Sequence, residues 1–294
     1  MKPKQIKINH TWIEFIGVQK INAKIENNIL PKKILISGRS GIGKSLLVDK
    51  FINYIYSKNE EHFLIDNNVH PNIFKISKET EKKNIEISKI REMIQFKNHS
   101  SFNNNIRTII IKDTEYLNTS SSNALLKSLE EQNEKILFIL INNSENKIQD
   151  TLKSRCIEFK LNLKYDEIIA IVDDYFNEKI HVNIPKDFKI FYNSPSFIIK
   201  LIEFFKDNSI EYQNITIENF IINLIKNKYY SKNQFILEHL NIFLELFFYK
   251  NIYKSKKISH EIKEYFYTKL SKIRKYNLDL ETFFLEFEEK LLSE

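Results

Sequence analysis

The sequence predicts an α/β domain followed by an all-α region, and three observations carry that reading. From residue 1 to about 163, short β-rich runs alternate with helix-period stretches, the pattern of a parallel sheet covered by helices. After about 164 the strand signal fades and apolar residues recur at helical spacing. Between an apolar run and a helical stretch lies GRSGIGKS (38–45), which holds three of the four glycines in the chain.

Taken in order, KKILISG (32–38), HFLIDNN (62–68), NIRTIIIKD (105–113), KILFILIN (135–142) and RCIEFKL (155–161) read as strands. The third and fourth are apolar enough to be central, buried on both faces. GKSLLVDKFINYIYSK and TSSSNALLKSLEEQ read as helices, the second opening on hydroxyl residues suited to cap it. SKETEKKN (77–84) and KNHSSFNNN (97–105) read as surface loops. Beyond 164, YDEIIAIVDDYFNEK, SPSFIIKLIEFFKD, TIENFIINLIKNKYY, QFILEHLNIFLELFFYKN and SHEIKEYFYTKLSKIRKYN read as helices. Boundaries near 163 and near 208, the latter at the polar KDNSIEYQN, divide the 294 residues into 1–163, 164–208 and 209–294. The apolar stretch FILEHLNIFLELFFYKNIY must be covered, either by other helices of a collar built with partner subunits or by a self-contained helical core.

Composition narrows the classes. Cys156 is the only cysteine, which excludes a disulfide scaffold and a zinc site built from two or four cysteines. The N-terminal segment lacks the apolar core of a secretory signal, and no stretch offers about 20 uninterrupted apolar residues, so a soluble cytoplasmic protein with no membrane partner is expected. The net charge of +7 leaves two readings open: a nucleic-acid face, or the Lys/Asn/Ile-rich drift of an A+T-rich genome.

Gly38-x-x-x-x-Gly43-Lys44-Ser45 fits the P-loop pattern with the strand before and helix after that the motif requires. Gly38, Gly41 and Gly43 let backbone N–H groups turn inward around phosphate oxygens, where side chains would collide. The helix opening near Lys44 adds its positive end. Lys44 would reach the β- and γ-phosphates, and Ser45 would ligate Mg²⁺. The expected cofactor is ATP or ADP with Mg²⁺.

NALLKSLEEQ (123–132), ILFILINNSENKIQDTLKSRC (136–156) and HPNIFKI (70–76), together with the P-loop, resemble the AAA+ clamp-loader family of bacterial DNA polymerase III. The delta-prime branch is the nearer match and the gamma/tau branch the second. The resemblance covers about residues 8 to 205, and its most specific element is Ser154-Arg155-Cys156. It implies an AAA+ nucleotide-binding domain, a small helical lid and a helical collar over the three segments above. It further implies a subunit that helps open a sliding clamp and place it on primer–template DNA, alongside gamma/tau and delta-type subunits. Arg155 would then act in trans as an arginine finger; its plain alternative is a surface ion pair with an acidic residue such as Glu158. Cys156 reads as a packed residue rather than a nucleophile. Asn143 falls at the sensor-1 position, where an amide can bond the γ-phosphate or the attacking water.

The pattern also breaks. Counting back from NALLK places Lys112 where the family's metal-organising Walker B Asp belongs and Asp113 where its catalytic Glu belongs; a register shifted by one puts Asp113 and Thr114 there instead. A lysine opposes Mg²⁺, so weak hydrolysis is expected. Ser196 and Phe197 stand where the lid's ATP-contacting arginine would sit, and the family's four-cysteine zinc module is missing, so zinc is not expected. The resemblance makes EKKNIEISKIREMIQFK (81–97) a DNA-facing helix, with Lys82, Lys83, Lys89 and Arg91 as phosphate contacts or, alternatively, a solvated charged face. Serines 120 to 122 either cap a helix or add N–H contacts to phosphate. A loss of Walker B with an intact P-loop and Ser-Arg-Cys fits a delta-prime-like stator better than a motor subunit. Two other classes stay open: an independent P-loop kinase, and an initiator-type AAA+ protein with a DNA-binding tail.

Overall fold

The five strands of the sheet all run parallel, in the order β2-β3-β4-β1-β5. The computed structural model describes residues 31–56, 70–79, 82–99, 101–102, 106–131, 133–144, 147–180, 184–189, 194–252 and 259–292. These form β1 (Lys33–Ser37), α1 (Lys44–Tyr56), β2 (Ile73–Ile76), α2 (Ile87–Asn98), β3 (Arg107–Ile111), α3 (Thr119–Glu130), β4 (Ile136–Asn142), α4 (Asp150–Lys153) and β5 (Ile157–Lys160). There follow α5 (Tyr165–Phe176), α6 (Lys186–Lys189), α7 (Pro195–Asp207), α8 (Ile217–Lys226), α9 (Tyr229–Lys232), α10 (Gln234–Asn251), α11 (His260–Tyr276) and α12 (Glu281–Phe287). The parallel α/β sheet followed by a helical C-terminal region is the expected fold class. Among the described residues no helix is long and apolar enough to cross a membrane.

β3 and β4 are buried at every position, as their uninterrupted Ile, Leu and Phe runs require of strands covered on both faces. The expected strand at 62–68 lies outside the described residues. The strand beside β3 is Ile73–Ile76, within HPNIFKI, whose four residues are too few to show a period. Leu125 and Leu129 of α3, Ile90 and Met93 of α2, and Ile109, Ile111, Phe138 and Leu140 of the sheet share one core cluster. α2 begins at Ile87, not at 81, so Lys82 and Lys83 precede the helix. Its C-terminal carbonyls meet Arg107 of β3, whose Nη1 donates to Phe96 O at 2.5 Å and Lys97 O at 2.8 Å. α3 is capped by Asn118, whose side chain accepts from Ser121 N at 2.8 Å. The hydroxyl run therefore does not cap the helix: Ser121 Oγ instead donates to Ile85 O.

The register sets the functional geometry. Ser37 of β1 pairs with Asn142 of β4, and Ile111 of β3 pairs with Leu140. The segments leaving β1, β3 and β4 therefore emerge side by side at the carboxyl edge of the sheet, where open α/β folds bind ligands.

The chain divides into two compact units. One runs through Tyr175 and includes Ser194–Phe197; the other comprises Phe176–Asn193 and Ile198–Glu294. The second unit is built around phenylalanine. Phe188 packs edge-on against Phe220, with ring centroids 5.4 Å apart, and Phe220 against Phe243 at 5.0 Å. Phe247 meets Phe287 at 5.2 Å, and Phe266 meets Phe287 at 5.0 Å. The wide apolar surface of α10 is therefore covered largely by α8, α11 and α12 of the same chain, the self-contained helical core that was one of the two readings of the sequence. Thr216, Asn233 and Ser259 cap α8, α10 and α11 with their side chains. α12 carries no readable period because it has seven residues, three of them buried phenylalanines.

Candidate nucleotide site and arginine segment

The loop from Gly38 to Gly43 turns back on itself through backbone angles that side chains resist. Gly41 has φ +77°, and a Cβ added there would lie 2.3 Å from Ser194 Oγ and 3.0 Å from Ser196 Cβ. Gly43 has φ +97°, in the same left-handed half of the map. Gly38 N donates to Asn142 O at 3.2 Å, which ties the start of the loop to the end of β4. Lys44 is buried, and its Nζ donates to Gly38 O at 2.8 Å and Arg39 O at 2.7 Å. Those bonds hold the ammonium inside the loop at the first turn of α1, with Ser45 beside it. A cradle floored by glycine, a cation at its centre and a helix N-terminus behind it suits a phosphate chain. Gly38, Gly41, Gly43 and Lys44 would hold the phosphates, and Ser45, in the first turn of α1, would be the Mg²⁺ ligand. Among the described residues no group of three or more His, Cys, Asp or Glu side chains could hold a metal ion by itself.

One strand over, the chain leaves β3 through Lys112 and Asp113. Lys112 N donates to Ile76 O at 2.8 Å, so its backbone still runs along β2. Asp113 takes the left-handed conformation (φ +56°), one of the few residue types that does so readily. That turn aims its carboxylate at Asn143: Asn143 Nδ2 donates to Asp113 Oδ1 at 2.8 Å, and Lys78 N reaches Oδ2 at 3.4 Å. Thr114 is buried and its hydroxyl donates to Ile141 O at 3.1 Å, so the register shifted by one would give it no free hydroxyl proton for water. Sequence reasoning overlooked Glu115, whose two carboxylate oxygens accept from Asn143 N at 3.2 and 3.3 Å. Its only sequence signal is the Asp-x-Glu spacing, and that matters only because a tight turn follows Asp113. Asn143 is thus gripped at both side chain and backbone by acidic residues from the loop after β3.

Ser154-Arg155-Cys156 follows α4 and leads into β5, the strand bordering β1 on the far side from β4. Arg155 is partly exposed. Its Nε and Nη2 donate to Glu130 Oε1 at 3.0 and 2.6 Å, and its Nη1 donates to Thr151 O at 3.0 Å. The acidic partner is therefore Glu130 at the end of α3. Glu158 instead accepts from Ser37 Oγ at 2.7 Å and pairs with Lys153 at 3.2 Å. Cys156 packs against the core cluster, and burial pushes its thiol up to about 11, which keeps it protonated and inert at neutral pH.

The four basic residues proposed to face DNA do not form an unopposed patch. Lys82 lies 3.0 Å from both Glu79 and Glu86, and Lys89 lies 3.9 Å from Glu79 and 3.7 Å from Glu92. Lys83 and Arg91 are exposed and have no carboxylate partner among the described residues. At the start of α7, Ser194 Oγ accepts from Phe197 N at 3.3 Å, and Ser196 N donates to Gly41 O at 3.3 Å. Ser196 and Phe197 thus stand beside the phosphate loop but bring no positive side chain to it.

The geometry can be set beside known proteins. A family model described as DNA polymerase III, delta subunit matches residues 16–164. Subunit delta' of DNA polymerase III from Pseudomonas aeruginosa is 25% identical over 134 residues, covering 42% of this chain and 41% of that protein. Subunit gamma from Buchnera aphidicola subsp. Schizaphis graminum is 34% identical over 96 residues, covering 33% of this chain and 25% of that one. The chain thus spans less than half the length of these curated relatives. A solved DNA polymerase III gamma subunit-related protein from Thermotoga maritima aligns at 16% identity with a TM-score of 0.45, over 93% of this chain and 99% of that one. With the match running through the phosphate loop, the Asp113–Asn143 pair and the Ser-Arg-Cys segment, over half of its length, the chain belongs to the DNA polymerase III, delta subunit family of clamp-loader proteins.

Proposed function

We propose that this chain is a delta-prime-like stator of a clamp loader: it holds a nucleotide, hydrolyses it poorly, and lends Arg155 to the ATP site of a neighbouring subunit. The observation that carries this reading is an intact phosphate loop beside a β3 exit that offers Lys112 in place of a metal-organising carboxylate. Lys112 adds positive charge where Mg²⁺ needs a negative second shell, so turnover at this chain's own loop is disfavoured while phosphate binding is retained. Asp113 is engaged with Asn143, which leaves the sensor amide tied to a carboxylate in place of the attacking water. Arg155 lies at an exposed loop with a guanidinium suited to charge that builds on a γ-phosphate.

In this reading the partners are gamma/tau- and delta-type subunits, the sliding clamp, and primer–template DNA, with Lys83 and Arg91 the basic residues most available to phosphates. ATP or ADP with Mg²⁺ is the cofactor, held by Gly38 to Ser45. Residues 164–208 serve as the lid and 209–294 as the collar segment. The test is steady-state ATPase of the purified chain, alone and then reconstituted with cognate motor subunits, clamp and primed DNA. The expected result is a silent lone chain that still binds ATP through Lys44, and a complex whose turnover falls 10³-fold or more on Arg155→Ala, the range for arginine fingers. Robust turnover by the lone chain, abolished by Lys44→Ala and indifferent to Arg155, would establish a gamma/tau-like motor instead.

A further inference from the structure

What Arg155 can do depends on what holds it. Of the five N–H bonds of its guanidinium, three are engaged, two with Glu130 Oε1 and one with Thr151 O. The two that remain lie one on each terminal nitrogen, and such a pair is what two phosphate oxygens accept side by side. Glu130 closes α3 and Thr151 belongs to α4, so acceptors on two separate elements restrict the rotamers of one long side chain. The pair is partly exposed, with Arg155 at 35% and Glu130 at 55%. At such a site water and salt screen the charge attraction to a weak level, whereas ordering of the side chain persists.

We propose that Glu130 is a positioning residue for Arg155: it pre-orders the guanidinium so that its terminal N–H pair is presented to the γ-phosphate of ATP in a neighbouring subunit. This rests on the finger role proposed above. Two effects compete, because a carboxylate on the guanidinium also offsets the charge offered to phosphate. Ordering dominates, since an exposed carboxylate is screened by solvent while immobilising a rotamer-rich arginine costs binding energy each time it engages.

The experiment is ATP turnover by the reconstituted complex, with clamp and primed DNA, carrying wild-type chain, Glu130→Ala, Arg155→Ala or both changes. Glu130→Ala is expected to lower kcat about three- to tenfold with KM for ATP unchanged, the range for ordering one long side chain. In the Arg155→Ala background it should have no further effect, because the two residues act as one unit. Glu130→Gln, which keeps an acceptor oxygen, should recover most of the rate. Lys147→Ala, which breaks an exposed pair with Asp150 in the nearby segment, should leave turnover unchanged. A rise in kcat on Glu130→Ala would show that Glu130 masks the finger, and equal losses in both backgrounds would show a structural role; either overturns the proposal. If Arg155→Ala lowers turnover while Glu130→Ala is inert, positioning alone is refuted. If Arg155→Ala has no effect, the finger reading fails and this inference falls with it.

Discussion

Gly41 shows how one missing side chain can serve two constraints. Its φ of +77° is strained for any residue with a Cβ, and the space a Cβ would take is already filled by Ser194 Oγ. Gly41→Ala is expected to destabilise the chain by about 1–2 kcal/mol from the backbone alone, and to displace the start of α7 as well. Urea unfolding of the variant against wild type checks the first effect; an unchanged midpoint would show that the loop adopts another conformation. The identity of the loop glycines was legible in the sequence because GRSGIGKS carries its own spacing rule. Their second role was not, since Ser194 is far away in the chain and only the folded loop brings it near. The same limit explains Glu115 and Glu130. A lone acidic residue carries no periodic signal, and its partner is set by a left-handed turn at Asp113 or by the end of α3.

At the scale of elements, a buried carboxylate joins three helices of the second unit. Asp187, in the short α6, accepts from Ile217 N at 2.9 Å with Oδ2, at the first turn of α8, and its Oδ1 pairs with Lys250 near the end of α10. Asp187 is 5% exposed, so removing it leaves Lys250 half-buried and unpaired and an N-terminal amide of α8 without its acceptor. Asp187→Ala should cost about 3–5 kcal/mol, the range for breaking one side of a buried pair. Asp187→Asn, which keeps an acceptor for Ile217 N but loses the charge, should cost less. Equal losses for the two variants, measured by denaturant titration, would assign the effect to the ion pair with Lys250 and not to the helix N-terminus. Helices such as α8 and α10 were legible from their apolar spacing, whereas the caps Thr216 and Asn233 emerged only in the structure. α12 was not, because seven residues do not establish a period, and its three buried phenylalanines acquire meaning only against Phe247, Phe248 and Phe266.

For the whole molecule, Glu286 is one carboxyl that ties stability to acid pH. Lys269, Lys290 and Tyr265 all donate to its carboxylate, and these hydrogen bonds pull its pKa down to about 2. A carboxyl whose folded pKa lies below its unfolded value stabilises the fold fully above the unfolded value, near 4.3. That contribution is lost as pH falls through the folded value. Stability should therefore decline between about pH 4.5 and pH 2, and Glu286→Gln should lower stability at neutral pH while flattening that part of the curve. Chemical unfolding midpoints collected from pH 2 to pH 7 decide it: a variant with the same acid slope as wild type would place the proton-linked group elsewhere.

Whereas β2 at Ile73–Ile76 could not be read from local sequence, four of the five described strands, the phosphate loop, the helical character of the tail and the family resemblance could. Each of these is written in local spacing: a motif of eight residues, strands apolar at every position, or an apolar residue every three to four positions. The partners of individual residues are set by the folded chain. Parallel pairing sets Asn142 beside Ser37 and brings the exits of β1, β3 and β4 to one edge, so Asp113 meets Asn143 across 30 residues and Arg155 meets Glu130 across 25. Those contacts depend on register and on the direction in which loops leave the sheet. A linear sequence records neither, because both follow from the packing of the strands against their covering helices.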